Sequence, residues 1–151
     1  MSETNKELLP KTIIFLRHAD EPIHGDSLSP AGMTRASNLA HNWETKLNLP
    51  HPDYIYASGS GSLRSRQTAK YIADKFHLKV NDKIKKDNYN TLVNNLYKNN
   101  FQNEVVVIVW EHTILETIIK TLTNKKIKIS GYNQLFIWTP FGDVFTELEQ
   151  E

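Results

Sequence analysis

The chain has 151 residues, a net charge of +1, 39% hydrophobic and 23% charged residues, and no cysteine. That length suits one domain with a proper core, and the composition is that of a globular chain rather than a disordered one. The near-zero charge argues against a global field for nucleic acid or anionic membrane, and the missing cysteines exclude disulfides, thiol catalysis and thiolate metal sites.

Residues 1–11, MSETNKELLPK, read as a flexible polar arm without an apolar signal core, and residues 12–151 as a single domain. No run approaches the roughly 18 apolar residues of a membrane helix, so the expectation is a cytoplasmic protein. TIIFL, from Thr12 to Leu16, reads as a short strand buried on both faces. RHADEPIHGDSL is a polar loop with Pro and Gly punctuation. Ser29 and Pro30 then make a helix start, Ser as cap and Pro in the first helical position. Met33, Ala36, Ala40, Trp43 and Leu47 recur behind them at helical spacing. LPHPD breaks that helix, YIYAS is a second strand, and GSGS is a turn. Ser62 is placed to cap a helix through Phe76, with Leu63, Ala69, Ile72, Ala73 and Phe76 on one face.

LKV is a minimal strand and NTLVNNLYKN a weaker helix. EVVVIVW is a continuous apolar run suited to the middle of a parallel sheet. His112 follows almost at once, and Leu115, Ile118, Ile119 and Leu122 repeat as a helix. QLFIWT and DVFTELE, separated by the PFG turn, predict an antiparallel edge pair. The alternation of strand and helix predicts an α/β sandwich around a mostly parallel sheet.

In an open α/β sheet, ligands bind outside the carboxyl ends of the strands. Three junctions there stand out: Arg17-His18, ASGSGSLRSRQTA with Arg64 and Arg66, and Glu111-His112. Two histidines and two arginines converging on one crevice would make an anion site, because guanidinium forks match phosphate oxygens and helix N-termini add donors. Each junction alone has a plainer reading. Arg-His after a strand is an ordinary exposed turn, Arg64 and Arg66 a solvated helix face, His112 a helix N-terminal residue, and Glu111 a surface acid. His18, Asp20, His24, Asp26 and His112 also have the donor types of a metal site, but two arginines in the same crevice oppose a divalent cation. Trp43 and Trp110 read as core or pocket wall.

FLRHAD, SLRSRQTA and VVIVWEH, in this order on these strand ends, resemble the histidine phosphatase superfamily. The short length and the sparse segment at 80–104 are most similar to its small bacterial phosphohistidine phosphatases. The resemblance implies a three-layer, phosphoglycerate mutase-like sandwich with an antiparallel C-terminal edge. It implies a phosphatase without metal or cofactor, acting through a phosphohistidine on a phosphorylated small molecule or phosphoprotein. No nucleic-acid or membrane partner is expected. His18 is then the nucleophile, Arg17 and Arg64 bind phosphate oxygens, and His112 is the second histidine on the transferring group. Arg66 falls on a variable position, at the rim.

Departures from the family pattern are informative. His24 stands where many members have an Asn that touches phosphate, and it is kept as a substrate-binding candidate. Gly61 replaces a common proline, which implies a looser turn. No carboxylate matches the family's proton donors, so Asp20, Glu21, Asp87 and Glu111 are the candidates. A missing acid favours good leaving groups such as phosphohistidine and acyl phosphates. Two alternatives follow: an impaired member that only binds phosphorylated ligands, or a phosphomutase.

Overall fold

The computed structural model describes residues 8–151. Most of the expected N-terminal arm, residues 1–7, lies outside the described residues. Residues 8–11 are docked: Leu9 is 2% exposed within the core, and the Lys11 N–H donates to the Glu104 carbonyl at 3.0 Å.

Ten elements follow in chain order: β1 (Thr12–Arg17), α1 (Pro30–Asn42), β2 (Tyr54–Ala57), α2 (Leu63–Phe76), β3 (Val80–Asn81), α3 (Tyr89–Lys98), β4 (Val105–Trp110), α4 (His112–Thr123), β5 (Gln134–Thr139) and β6 (Val144–Glu149). The strands form one six-stranded sheet in the order β3-β2-β4-β1-β5-β6. β3, β2, β4 and β1 run parallel. β5 is antiparallel to β1, and β6 to β5, so the C-terminal pair forms the antiparallel edge.

The layers follow from the period of two along each strand. Ile14, Leu16, Val107 and Val109 face α1 and α2, where they meet Leu39, Ala40, Ile72 and Phe76. Phe15, Val106, Ile108 and Trp110 face α3 and α4, where they meet Leu92, Leu96, Leu115 and Ile118. Both faces of β1 and β4 are thus covered, which is why their sequences are apolar without alternation. Each such side chain contributes about 1.5–3 kcal/mol of burial, so a polar substitution at Val107 or Ile108 would break the fold before it touched the site.

Helix α1 starts as the sequence predicts: Ser29 accepts from the Gly32 N–H, and Pro30 is the first helical residue. It ends at Asn42, short of Leu47. Its buried face is Gly32, Ala36, Leu39 and Ala40, while Met33 is 40% exposed. At about 100° per residue, Met33 falls on the margin of that stripe rather than within it. Leu63, expected on the buried face of α2, is also exposed, because it opens the helix at the sheet's edge. Trp43 and Trp110 are both fully buried. Among the described residues, no helix is long and apolar enough to cross a membrane.

Candidate active site

The register of the two central strands builds the site. Arg17 lies beside Trp110, so the next residues on each strand, His18 and Glu111, leave the sheet at neighbouring points. The β2–α2 turn comes alongside, its Ser58 N–H donating to the Val109 carbonyl at 3.2 Å. Together these junctions and the segment after β3 enclose a cleft of about 500 Å³. His18, Arg64, Arg66, Lys86, Asp26 and Glu111 are among its walls.

His18 is 7% exposed. Its Nδ1 lies 2.8 Å from the Ala19 carbonyl. A carbonyl can only accept, so Nδ1 carries the hydrogen and Nε2 keeps a lone pair. Burial pulls the imidazole pKa below its ordinary value. The Ala19 bond opposes this, Arg17 and Arg64 reinforce it, and Glu21 opposes it. The net result favours a neutral ring with a free Nε2.

The Gln-Thr pair that closes the second motif holds the His18 loop in place. The Thr68 hydroxyl accepts from the Ala19 N–H at 2.9 Å and donates to the Arg64 carbonyl at 2.8 Å. The Gln67 side-chain carbonyl accepts from the Leu28 N–H at 2.8 Å. These residues are invisible as functional groups in the sequence, because they act on backbone rather than on a ligand.

Arg64 donates to the Gly25 carbonyl through Nη2, to the Ser27 carbonyl at 3.3 Å through Nε, and to Glu21 Oε2 at 3.2 Å through Nη1. The same Glu21 oxygen is 3.8 Å from His18 Nε2. A carboxylate therefore stands between the free imidazole nitrogen and the guanidinium. Arg17 lies with its guanidinium carbon 4.2 Å from the centre of the Tyr132 ring, and its Nη1 donates to the Gly131 carbonyl at 3.1 Å. Tyr132 also approaches His18, with 6.1 Å between ring centres. Gly131 and Tyr132, on the loop before β5, escaped the sequence reading because nothing in their local pattern points to β1.

The remaining candidates separate. Glu111 caps α4, accepting from the Thr113 and Ile114 N–H groups at 3.0 Å each. Burial alone would raise its pKa, but those two donors and His112 outweigh it and hold the carboxyl below its usual value. His112 is the first residue of α4 and is outside the cleft walls; its side chain is 40% exposed. Its Nδ1 comes within 3.0 Å of Glu111 Oε2 but is not aligned for a hydrogen bond, so the contact is one of charge and distance. Asp20 faces α1, where Arg35 Nε donates to it at 2.6 Å. His24 and Asp87 are exposed on their loops and outside the cleft walls.

Three sequence expectations change. Arg66 is more than rim surface, since it lines the cleft with Arg64. Lys86 joins them, although LysLys sequences read as solvated loop. Gly61 takes φ +85°, a conformation closed to proline, so the turn has its own geometry rather than a loosened family one. The residues weighed as metal ligands do not meet: among the described residues no group of three or more His, Asp or Glu side chains is placed to hold an ion.

No family model and no curated protein matches the chain. Solved structures do. The protein histidine phosphatase SixA complexed with tungstate superposes with a TM-score of 0.70 at 15% identity, over 92% of this chain and 97% of that one. A mycobacterial glucosyl-3-phosphoglycerate phosphatase complexed with inorganic phosphate gives 0.65 at 12% identity, over 91% and 95%. A phosphoglycerate mutase from Bacillus anthracis str. Sterne gives 0.64 at 12% identity, over 95% and 94%. At these identities the likeness is one of fold: the chain has the phosphoglycerate mutase-like α/β fold over nearly its whole length.

Proposed function

We propose that this chain is a histidine phosphatase. It hydrolyses phosphomonoesters or phosphohistidine-containing protein through a covalent phosphohistidine, without a metal. The observation that carries this reading is the state of His18, a buried imidazole at the carboxyl end of a central strand, with Nδ1 engaged and Nε2 free of a hydrogen bond, facing a carboxylate that the Arg64 guanidinium holds. That two similar folds hold tungstate and inorganic phosphate supports an oxyanion as the ligand.

In the first step the Nε2 lone pair attacks phosphorus, and the bond from phosphorus to the leaving atom breaks. Arg64 on the cleft wall and Arg17 next to His18 stabilise charge on the equatorial oxygens, and the family resemblance assigns His112, outside the cleft walls, to the same group. The leaving atom takes a proton. Of the four candidate donors, Glu21 has the best claim by position: although Arg64 holds it too, its carboxyl lies 3.8 Å from Nε2, whereas Asp20 faces Arg35 on α1 and Glu111 caps α4. In the second step water attacks phosphorus and gives a proton to the Glu21 carboxylate, the N–P bond breaks to restore the Nε2 lone pair, and phosphate leaves.

The test is rapid acid-free quenching of the chain with labelled phosphorylated substrates, including aryl phosphate and phosphohistidine protein, with and without EDTA. The expected result is an acid-labile phosphoryl group on His18 that forms and decays at catalytic rates in EDTA. Turnover without label on His18 overturns the mechanism. Binding without turnover makes the chain a phospho-ligand-binding protein, and transfer to a second hydroxyl makes it a mutase.

A further inference from the structure

Two cations of the cleft have no part in that chemistry. Arg66 and Lys86 line the same space as His18 and Arg64. Among the described residues neither takes part in a salt bridge. Arg66 Nε is buried and has no hydrogen-bond partner. A guanidinium N–H withdrawn from water without an acceptor is costly, and it leaves Arg66 with a donor that no described group takes up.

Positions two apart on a helix leave it about 200° from one another, so Arg64 and Arg66 reach the cleft from different sides of the α2 N-terminus. Lys86 comes from a separate segment that is firmly held. The Trp110 indole N–H donates to the Lys86 carbonyl at 2.9 Å, and the Gly59 N–H donates to the Ile84 carbonyl at 2.7 Å. A side chain at Gly59 would meet the Asp82 carbonyl at 2.2 Å, so only glycine lets this segment close against the β2–α2 turn. Two carboxylates share the cleft. Glu111 is engaged by the α4 N-terminus and His112, and Glu21 beside the cleft is paired with Arg64, which leaves Asp26 as the wall carboxylate against Arg66 and Lys86.

We propose that Arg66 and Lys86 form a second oxyanion subsite, which binds a carboxylate or further phosphate on the leaving part of the substrate. This rests on the phosphatase reading for the word substrate, but the subsite can be probed without turnover. The subsite would make the enzyme selective for dianionic phosphomonoesters that carry another acidic group within reach of the same cleft.

Two measurements test it. The first compares kcat/KM for phenyl phosphate with that for its 3- and 4-carboxy derivatives. The second compares the affinities of phenylphosphonate, 3- and 4-carboxyphenylphosphonate and 1,4-phenylenebisphosphonate, none of which can be hydrolysed. The wild-type chain is expected to favour a ligand with the second oxyanion by about tenfold. Arg66→Gln and Lys86→Gln should each shrink that ratio, and the double variant should bring it close to one. Because the ratio is taken within each variant, partial misfolding does not imitate the result. A wild-type ratio near one, or a ratio that survives in the double variant, overturns the subsite. If no ester is turned over, the phosphatase reading fails, while the phosphonate ratios still decide this one.

Discussion

Two parallel strands in the middle of the sheet end in the same way, with a charged residue followed by histidine, and the outcomes are opposite. After β1, residues 18–29 separate the strand from α1, and His18 at the head of this loop is buried. After β4, only Glu111 separates the strand from α4, so His112 opens the helix with its side chain 40% exposed. The preceding charge also differs in sign. Arg17 reinforces the lowering of the His18 pKa, whereas Glu111 places a carboxylate beside His112. On the proposed mechanism, a histidine at a strand end is fitted for attack by burial, a carbonyl for Nδ1 and nearby arginines that favour the neutral ring. Without the loop, the same residue is available to a ligand's charge but is not shaped for attack.

The strongest way to break this contrast is to remove each ring in turn. His18→Ala should lower aryl phosphate turnover by about 10³-fold or more, and His112→Ala by roughly ten- to a hundredfold, with both variants folded by circular dichroism. Equal losses would mean that the two junctions are not functionally distinct.

A smaller effect is expected from the acid in the long loop. Glu21→Gln should slow esters of alkyl alcohols by about tenfold or more and leave activated aryl phosphates much less affected, because a poor leaving group needs the proton more. A uniform loss across a leaving-group series would make Glu21 a positioning residue for Arg64 instead.

At the short junction the carboxylate should be worth stability rather than rate. Glu111→Ala removes the α4 cap and should cost about 1 kcal/mol, which in a chain of this size lowers Tm by about 2–4 °C. An unchanged Tm with a large loss of activity would return Glu111 to the list of proton donors.

The subtlest difference is in titration. The folded state binds a proton at His18 less readily than the unfolded chain does, so the ring should titrate with a midpoint below about 6.5 by NMR. Its contribution to stability is full above the unfolded value of about 6.5 and is lost as pH falls from there through the lower folded value. A midpoint at or above 6.5 would mean that burial does not keep the His18 ring neutral.

Most of the fold is legible in the sequence, since strands buried on both faces and helices with one apolar stripe have different periods. The Ser29-Pro30 start and the antiparallel pair around PFG can be read from the same local signals. Met33 and Leu47 mislead because a stripe drawn at helical spacing does not show where its margin or its last turn lies. In the site, His18 and Arg64 stand out because they end strands or open helices, and the fold brings those ends to one edge. Asp20, Glu21 and Glu111 cannot be ranked from sequence, because their partners are remote or depend on cap geometry: Arg35 from α1, Arg64 from α2, and the N–H groups of α4.

The sequence by itself therefore determines the order of elements, the buried central strands and the placing of histidines and arginines at strand ends. These depend on hydrophobic period and turn chemistry, which act over a few residues. Only the tertiary structure decides which histidine is buried, which carboxylate is left near its free nitrogen, and that Arg66 and Lys86 share a cleft. Those outcomes depend on register, loop closure and desolvation, which join residues that no local pattern connects.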